Sequence, residues 1–182
     1  MNDYQKQFLA LYEPIHESFA RFCHAKAYGL MEAEDLISET VLCALEKFDT
    51  LKNDEAFLSF LFSIASNLLA KKNRRLKFKA EYHESEAFKL KDEGIDAETR
   101  LDVAILYGAL NELSKVQKEA LILFEISGFS IKEVAEIQKV KLSAVKQRLK
   151  RGRESLAIIF KSDQLRNESI DSRSKVLISV FL

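Results

Sequence analysis

Proline and glycine are almost missing from this chain of 182 residues: Pro14 is the only proline, and there are five glycines. Sheet proteins depend on those two residues for their many turns, so their scarcity favours long helices. Tryptophan is absent, and Cys23 and Cys43 are the only cysteines. Neither sits in a CxxC, so a disulfide scaffold or a thiolate metal site is not supported and two reduced, helix-packed thiols are expected. His16, His24 and His83 add no credible ligand set. No apolar run reaches the length that spans a bilayer, and the N-terminus lacks a charged-then-apolar leader. A cytoplasmic location without membrane insertion is the simplest expectation. A phosphate-cradling glycine loop, clustered metal-binding carboxylates and a nucleophile–base pair are all missing, so the chain reads as non-enzymatic, with no cofactor.

Hydrophobic residues make up 47% of the sequence, enough for a packed core. The formal net charge is zero, from 28 basic and 28 acidic residues. The distribution is uneven. From Gln138 to Arg153 there is no acid, while Lys139, Lys141, Lys146, Arg148, Lys150, Arg151 and Arg153 are basic. A second basic run holds Lys71, Lys72, Arg74, Arg75, Lys77 and Lys79, and the stretch between the runs, Glu81 to Glu98, is mostly acidic. Charge sorted into blocks points to an anionic partner engaged at particular places.

Periodicity divides the chain. Phe8, Leu11, Tyr12, Ile15, Phe19, Phe22 and Cys23 form one helical stripe from about Tyr4 to Tyr28, with a kink expected at Pro14 and a stop at Gly29. Glu32, Glu34 and Asp35 open a second helix, their charge suiting its positive end. After a polar break, Asp49 to Glu55, a third helix carries Phe57, Phe60, Leu61, Ile64, Ala65 and Leu68 on its apolar face. Phe57 and Phe60, being on that stripe, read as core. Periodicity lapses from about Ala80 to Ala97. It resumes with Leu101, Ile105, Leu106, Ala109, Leu110 and Leu113 on one helix. Two capping boxes follow, Ser114–Gln117 and Ser130–Glu133, each opening a helix, with Gly128 between them. The last helix starts near Leu142 or Ser143 and turns Val145, Leu149, Leu156 and Ile159 inward. The reading is all-α: two small helical domains, residues 1–79 and 99–161, joined by an acidic linker, 80–98, with a tail at 162–182.

A short capped helix, a break and a basic helix make a helix-turn-helix pattern. Small Ala135 allows close crossing, and Ile131, Val140 and Val145 fill the wedge. The start of the second helix can enter a major groove. That places Lys141, Ser143, Ala144, Lys146, Gln147 and Arg148 near base edges or phosphates. Lys150, Arg151 and Arg153, further along, suit phosphate.

These residues resemble region four of bacterial RNA polymerase sigma factors of the extracytoplasmic-function type. That family shows L-x-x-L, a helix ending in glycine, S-x-x-E-[IV]-A-x-[IL], and V-K-x-R-L-x-R-[AG]-R-x-x-L. Here stand Leu110, Leu113, Gly128, Ser130, Glu133, Val134, Ala135, Ile137, and then Val145, Lys146, Arg148, Leu149, Arg151, Gly152, Arg153 and Leu156. The front half is similar too. Ala33 to Leu42 looks like A-E-D-L-[VI]-x-E-[TV]-[FL], and Phe57, Phe60, Leu61, Ile64, Ala65, Asn67, Arg74 and Arg75 match F-x-x-[WF]-L-x-x-[IA]-A-x-N-x-x-x-x-x-x-R-R. The chain departs at four places. Phe60 replaces a tryptophan, Lys71 an aspartate, Ser114 a proline, and Gln138-Lys139 the Leu-Gly of the turn. No glycine eases that turn, so a less sharp break is expected.

The resemblance implies a factor that joins core RNA polymerase and directs it to promoter DNA. It implies that Asp35, Ser38 and Glu39 meet polymerase. It implies that Asn67, Lys71, Arg74 and Arg75 meet the melted minus-ten element, with a flipped-base pocket in the Asp49–Ala56 loop. Around Lys141–Arg148 the minus-thirty-five element would be read as duplex, the two cationic surfaces being held apart by the linker. An anti-sigma partner is common in the family. The alternative is a repressor or activator that binds DNA without polymerase. The acidic linker reads either as a solvated tether or as an anionic mimic in the polymerase channel. The apolar tail, Ser174 to Leu182, is expected to dock on a groove of the same chain.

Overall fold

The computed structural model describes residues 3–80 and 97–166, all helices and turns, with no strand among them. The acidic linker and the apolar tail therefore lie outside the described residues.

Pro14 acts as expected. Helix α1, Asp3–Tyr12, gives way to one 3₁₀ turn, Glu13–Ile15, and α2, His16–Ala27, restarts beyond it. Proline lacks the N–H that an interior turn needs, so it occupies the start of a new turn. Gly29, at φ +72°, turns the chain towards α3, Ala33–Glu46, whose first turn carries Glu34 and Asp35. Two short 3₁₀ turns lead to α4, Phe57–Ala80. Phe8, Phe19, Phe22, Leu36, Ala44, Phe48, Phe57, Leu61 and Ala65 are buried between these helices. Edge-to-face rings bind the group together, among them Phe8–Phe57 at 5.5 Å and Phe22–Phe62 at 4.6 Å. Such pairs add about 1 kcal/mol each beyond their area.

The second lobe holds α5, Ala97–Glu112, α6, Lys115–Leu121, α7, Ile131–Ile137, and α8, Leu142–Arg166. Helix α6 runs on through a π turn, Ile122–Ile126, and ends at Gly128, φ +80°. Both capping boxes form. Along α8 the inward residues are Val145, Leu149, Leu156 and Phe160; the fourth is Phe160, and Ile159 is only partly buried. Leu101, expected on the inner face of α5, is 49% exposed. Gly152 sits where α8 crosses α6, so close that an added Cβ would lie 2.9 Å from Leu121 Cδ1.

The two lobes are not held apart. They share one continuous core. Phe62 of α4 meets Phe129, which follows Gly128, edge-to-face at 5.3 Å. Tyr28 stacks on Tyr107 of α5 at 4.2 Å. Arg21 of α2 donates from Nε and Nη2 to the Ser127 carbonyl at 3.3 and 3.0 Å. That carbonyl lies at the end of a helix, where backbone oxygens lack partners and favour a cation. Lys26 approaches Glu119 at 4.0 Å across the same seam.

Candidate nucleic-acid interface

Helix α7 is fixed at both ends. The Ser130 N–H and hydroxyl both donate to Glu133 Oε2, at 2.8 and 2.6 Å, and the Glu133 N–H donates to Ser130 Oγ at 3.3 Å. At the other end Val140 N–H reaches the Ala135 carbonyl at 2.9 Å and Lys139 N–H reaches that of Glu136 at 3.1 Å. This pair of bonds is the Schellman closure, which needs a left-handed residue between helix and exit. Lys139 takes that role at φ +53°. The break is therefore as sharp as glycine would make it, contrary to the expectation from sequence: the two backbone bonds and the packing of Val134, Ala135 and Val145 hold a lysine in the strained region.

Val145 and Leu149 are fully or nearly buried against α6 and α7, which turns the opposite face of α8 outward. Lys141, Ser143, Lys146, Gln147, Lys150 and Arg151 are exposed on it, and Ala144 is half-buried. Arg148 lies beside the buried stripe, three residues beyond Val145, and its Nη1 donates to Gln138 Oε1 at 2.8 Å. Arg153, assigned to phosphate by sequence, is held inside the lobe: Nε donates to Glu125 Oε1 at 2.8 Å and the guanidinium lies over Phe124. The acid that occupies it comes from the π turn that continues α6, a neighbour that spacing along α8 does not reveal.

On the first lobe Asn67, Lys71, Arg74 and Arg75 are all exposed along α4. Phe57 is buried and Phe60 half-buried against the core, as the stripe implied. In the Asp49–Ala56 loop Asn53 Oδ1 accepts from Ala56 N–H at 3.0 Å and Asp54 Oδ1 accepts from Gln7 at 3.0 Å, which fixes the entry to α4. Asp35, Ser38 and Glu39 are exposed on α3.

Asn67 also lines a cleft of 570 Å³ between the lobes, with Lys26, Asn73, Lys115, Lys118 and Lys139. Burial lowers the Lys26 pKa, Glu119 opposes that shift and Lys115 adds to it. Sequence reasoning did not find this seam. Arg21, Lys26, Tyr28 and Tyr107 sit on helix flanks, and no periodicity marks a flank as an interlobe contact. Phe129, a large aromatic outside every stripe, was the available signal. Among the described residues no group of three or more His, Cys, Asp or Glu could hold a metal, and no helix is long and apolar enough to cross a membrane.

Comparison with known proteins identifies the family. Residues 11–78 match the model of sigma-70 region 2, and residues 104–156 that of sigma-70, region 4. The chain belongs to the sigma-70 family of RNA polymerase sigma factors. Within it, it is a factor of the extracytoplasmic-function type. It is 28% identical to the ECF RNA polymerase sigma factor EcfG of Rhodopseudomonas palustris over 80% of this chain and 81% of that protein. It is 24% identical to the ECF RNA polymerase sigma factor SigW of Bacillus subtilis over 84% and 88%. The structure of the sigma factor RpoE from Bartonella quintana, solved with the anti-sigma factor NepR, superposes with a TM-score of 0.57 at 25% identity, covering 90% of this chain and 99% of that one. CnrH, solved with the cytosolic domain of CnrY, gives a TM-score of 0.62 at 24% identity over 87% and 90%, a likeness of fold.

Proposed function

We propose that the chain binds core RNA polymerase through the exposed face of α3 at Asp35, Ser38 and Glu39 and carries it to promoters as a non-enzymatic subunit in the cytoplasm. The first domain, residues 1–79, takes the minus-ten element. Asn67 offers a donor and an acceptor to an unstacked base, and Lys71, Arg74 and Arg75 face the phosphates of the melted strand. The second domain, residues 99–161, lays the start of α8 in the major groove of the minus-thirty-five element. Lys141, Ser143, Lys146 and Gln147 lie at the groove, and Lys150 and Arg151 at phosphate. Arg148, engaged by Gln138, serves mainly to brace α8 against the α7–α8 turn. The observation that carries this reading is the exposure of both cationic faces and of the α3 acids at once.

The packed lobes are the state before promoter engagement. The two elements stand about 25 base pairs apart by their names, roughly 85 Å of duplex at 3.4 Å per step. A compact chain of this length has a radius of gyration of about 16 Å. Both elements are reached together only if the seam at Phe62–Phe129 and Arg21–Ser127 opens. An anti-sigma protein is the expected inhibitory partner, as its relatives' complexes suggest.

Transcription with reconstituted core polymerase on a promoter library tests the reading. Co-purification with core and transcripts that depend on the chain are expected. Tight, palindrome-specific binding by the protein alone, without affinity for core, would instead establish a conventional repressor or activator.

A further inference from the structure

Leu142 is the first residue of α8 and is 50% exposed, between the exposed side chains of Lys141 and Ser143. It borders an open dish lined by Ala135, Val140 and Glu136 together with Lys132, Lys139 and Lys141. Single exposed leucines are common, and exposure alone selects nothing. Ile158, on the same helix, is more exposed at 68%. Position separates the two. Sixteen residues of helix put Ile158 about 24 Å further along the axis, beyond a groove entered at the N-terminal turn. Leu142 stands in that turn, where recognition helices place the side chains that touch base edges.

We propose that Leu142 contacts the 5-methyl group of a thymine in the minus-thirty-five duplex and sets a thymine preference at that base pair. The inference rests on the reading of α8 as the recognition helix. Leucine has no donor or acceptor, and the thymine methyl is the apolar group a base pair displays in the major groove. Three lysines against the one Glu136 carboxylate leave the dish net cationic, which draws phosphates beside it and brings that groove edge onto the leucine. Ser143 and Gln147, exposed on the same end of the helix, supply the hydrogen bonds that leucine cannot.

The test uses the full chain with core polymerase. A promoter library randomised in the minus-thirty-five region is first selected for transcription. Each thymine of the selected element is then replaced by uracil, which removes the methyl group alone. Uracil at one position is expected to weaken promoter binding about fourfold, the ratio one buried methyl supplies. Leu142→Ala should bind the thymine promoter about fourfold more weakly and be insensitive to uracil there. Leu142→Gln should shift the preferred base at that position from thymine to adenine, whose N6 and N7 glutamine pairs. Three results overturn the proposal: a selected element without thymine, uracil tolerated throughout, or an unchanged uracil penalty in Leu142→Ala. If the wild-type chain directs no transcription from any library member, the sigma reading itself fails and this inference falls with it.

Discussion

Lys139→Gly should stabilise the protein, although it removes a side chain from the helix-turn-helix. Lys139 holds φ +53° with its N–H bonded to the Glu136 carbonyl. An L-residue with a Cβ loses about 1–2 kcal/mol in that region. Glycine escapes the loss but makes the unfolded chain freer, which costs roughly 0.5–1 kcal/mol. The net gain is roughly 0–1.5 kcal/mol, about 0.75 kcal/mol at the midpoints, and for a chain of this size that midpoint raises the melting temperature by about 1.5–3 °C. Removing the lysine also removes a positive charge from a cleft that holds Lys26, Lys115 and Lys118. Two controls separate charge from backbone. Lys139→Ala loses the charge and keeps the strain; Lys139→Asn loses the charge and tolerates the left-handed region better. The expected order of melting temperature, by circular dichroism, is glycine above asparagine above alanine. If alanine gains as much as glycine, charge relief explains the effect and the strain argument is wrong.

Glu136 should act against folding at neutral pH. Its Oε1 is buried without a hydrogen-bond partner, and burial raises its pKa, with Glu133 and Glu55 pushing the same way and Lys132 opposing. A raised folded pKa means stability that is complete below the usual 4.5 and lost as pH climbs through the folded value. Glu136→Gln should therefore melt above wild type at pH 7, with the gap closing near pH 4; a gap independent of pH would count against the cause given. Arg153→Ala should cost about 1–3 kcal/mol in urea unfolding, because it leaves the largely buried Glu125 carboxylate unpaired. Lys150→Ala, at an exposed side chain, should leave stability within about 0.5 kcal/mol of wild type. It should flatten the salt dependence of promoter binding by about 0.9 in log–log slope; the reverse pattern would exchange the two roles. Gly152→Val should destabilise by about 1–3 kcal/mol, since its side chain meets the fully buried Leu121, and an unchanged melting curve would show that α6 yields. Cys23 is fully buried with a pKa pushed up to about 12, so native protein should resist thiol reagents there while Cys43 reacts; mass spectrometry locating the label first on Cys23 would refute this.

The helices were legible because their signals are local. Ser114 and Ser130 with Gln117 and Glu133 mark helix starts through backbone groups three residues apart. Pro14, Gly29 and Gly128 mark breaks through single dihedral angles. The cationic faces were legible for a related reason: Lys71, Arg74 and Lys146 need only water or phosphate beside them, and Lys150 pairs with Glu154 one turn on along the same helix, so spacing along one helix suffices. The misses depend on distant residues. Arg153 and Lys150 look alike along α8, and only Glu125, brought over by the π turn that continues α6, separates them. Lys139 looked like a poor turn residue because its cost is local while the bonds that offset it come from the finished turn.

The seam between the lobes follows the same logic and bears on function. Its named contacts are mixed, one edge-to-face ring pair, one ring stack, an arginine on a helix-end carbonyl and a 4.0 Å ion pair, and they sit on a hydrophobic core that runs across both lobes. The ring pairs and the ion pair are each worth on the order of 1 kcal/mol, the charge-assisted arginine bonds about 1.5–3 kcal/mol each, and the apolar area of the shared core adds to them. The α3 face proposed for polymerase lies outside the seam, with Asp35, Ser38 and Glu39 exposed. Lys146 and Arg74 both face solvent in the closed form, so closure leaves the two cationic faces uncovered, and what must still change for both to reach one promoter is their separation.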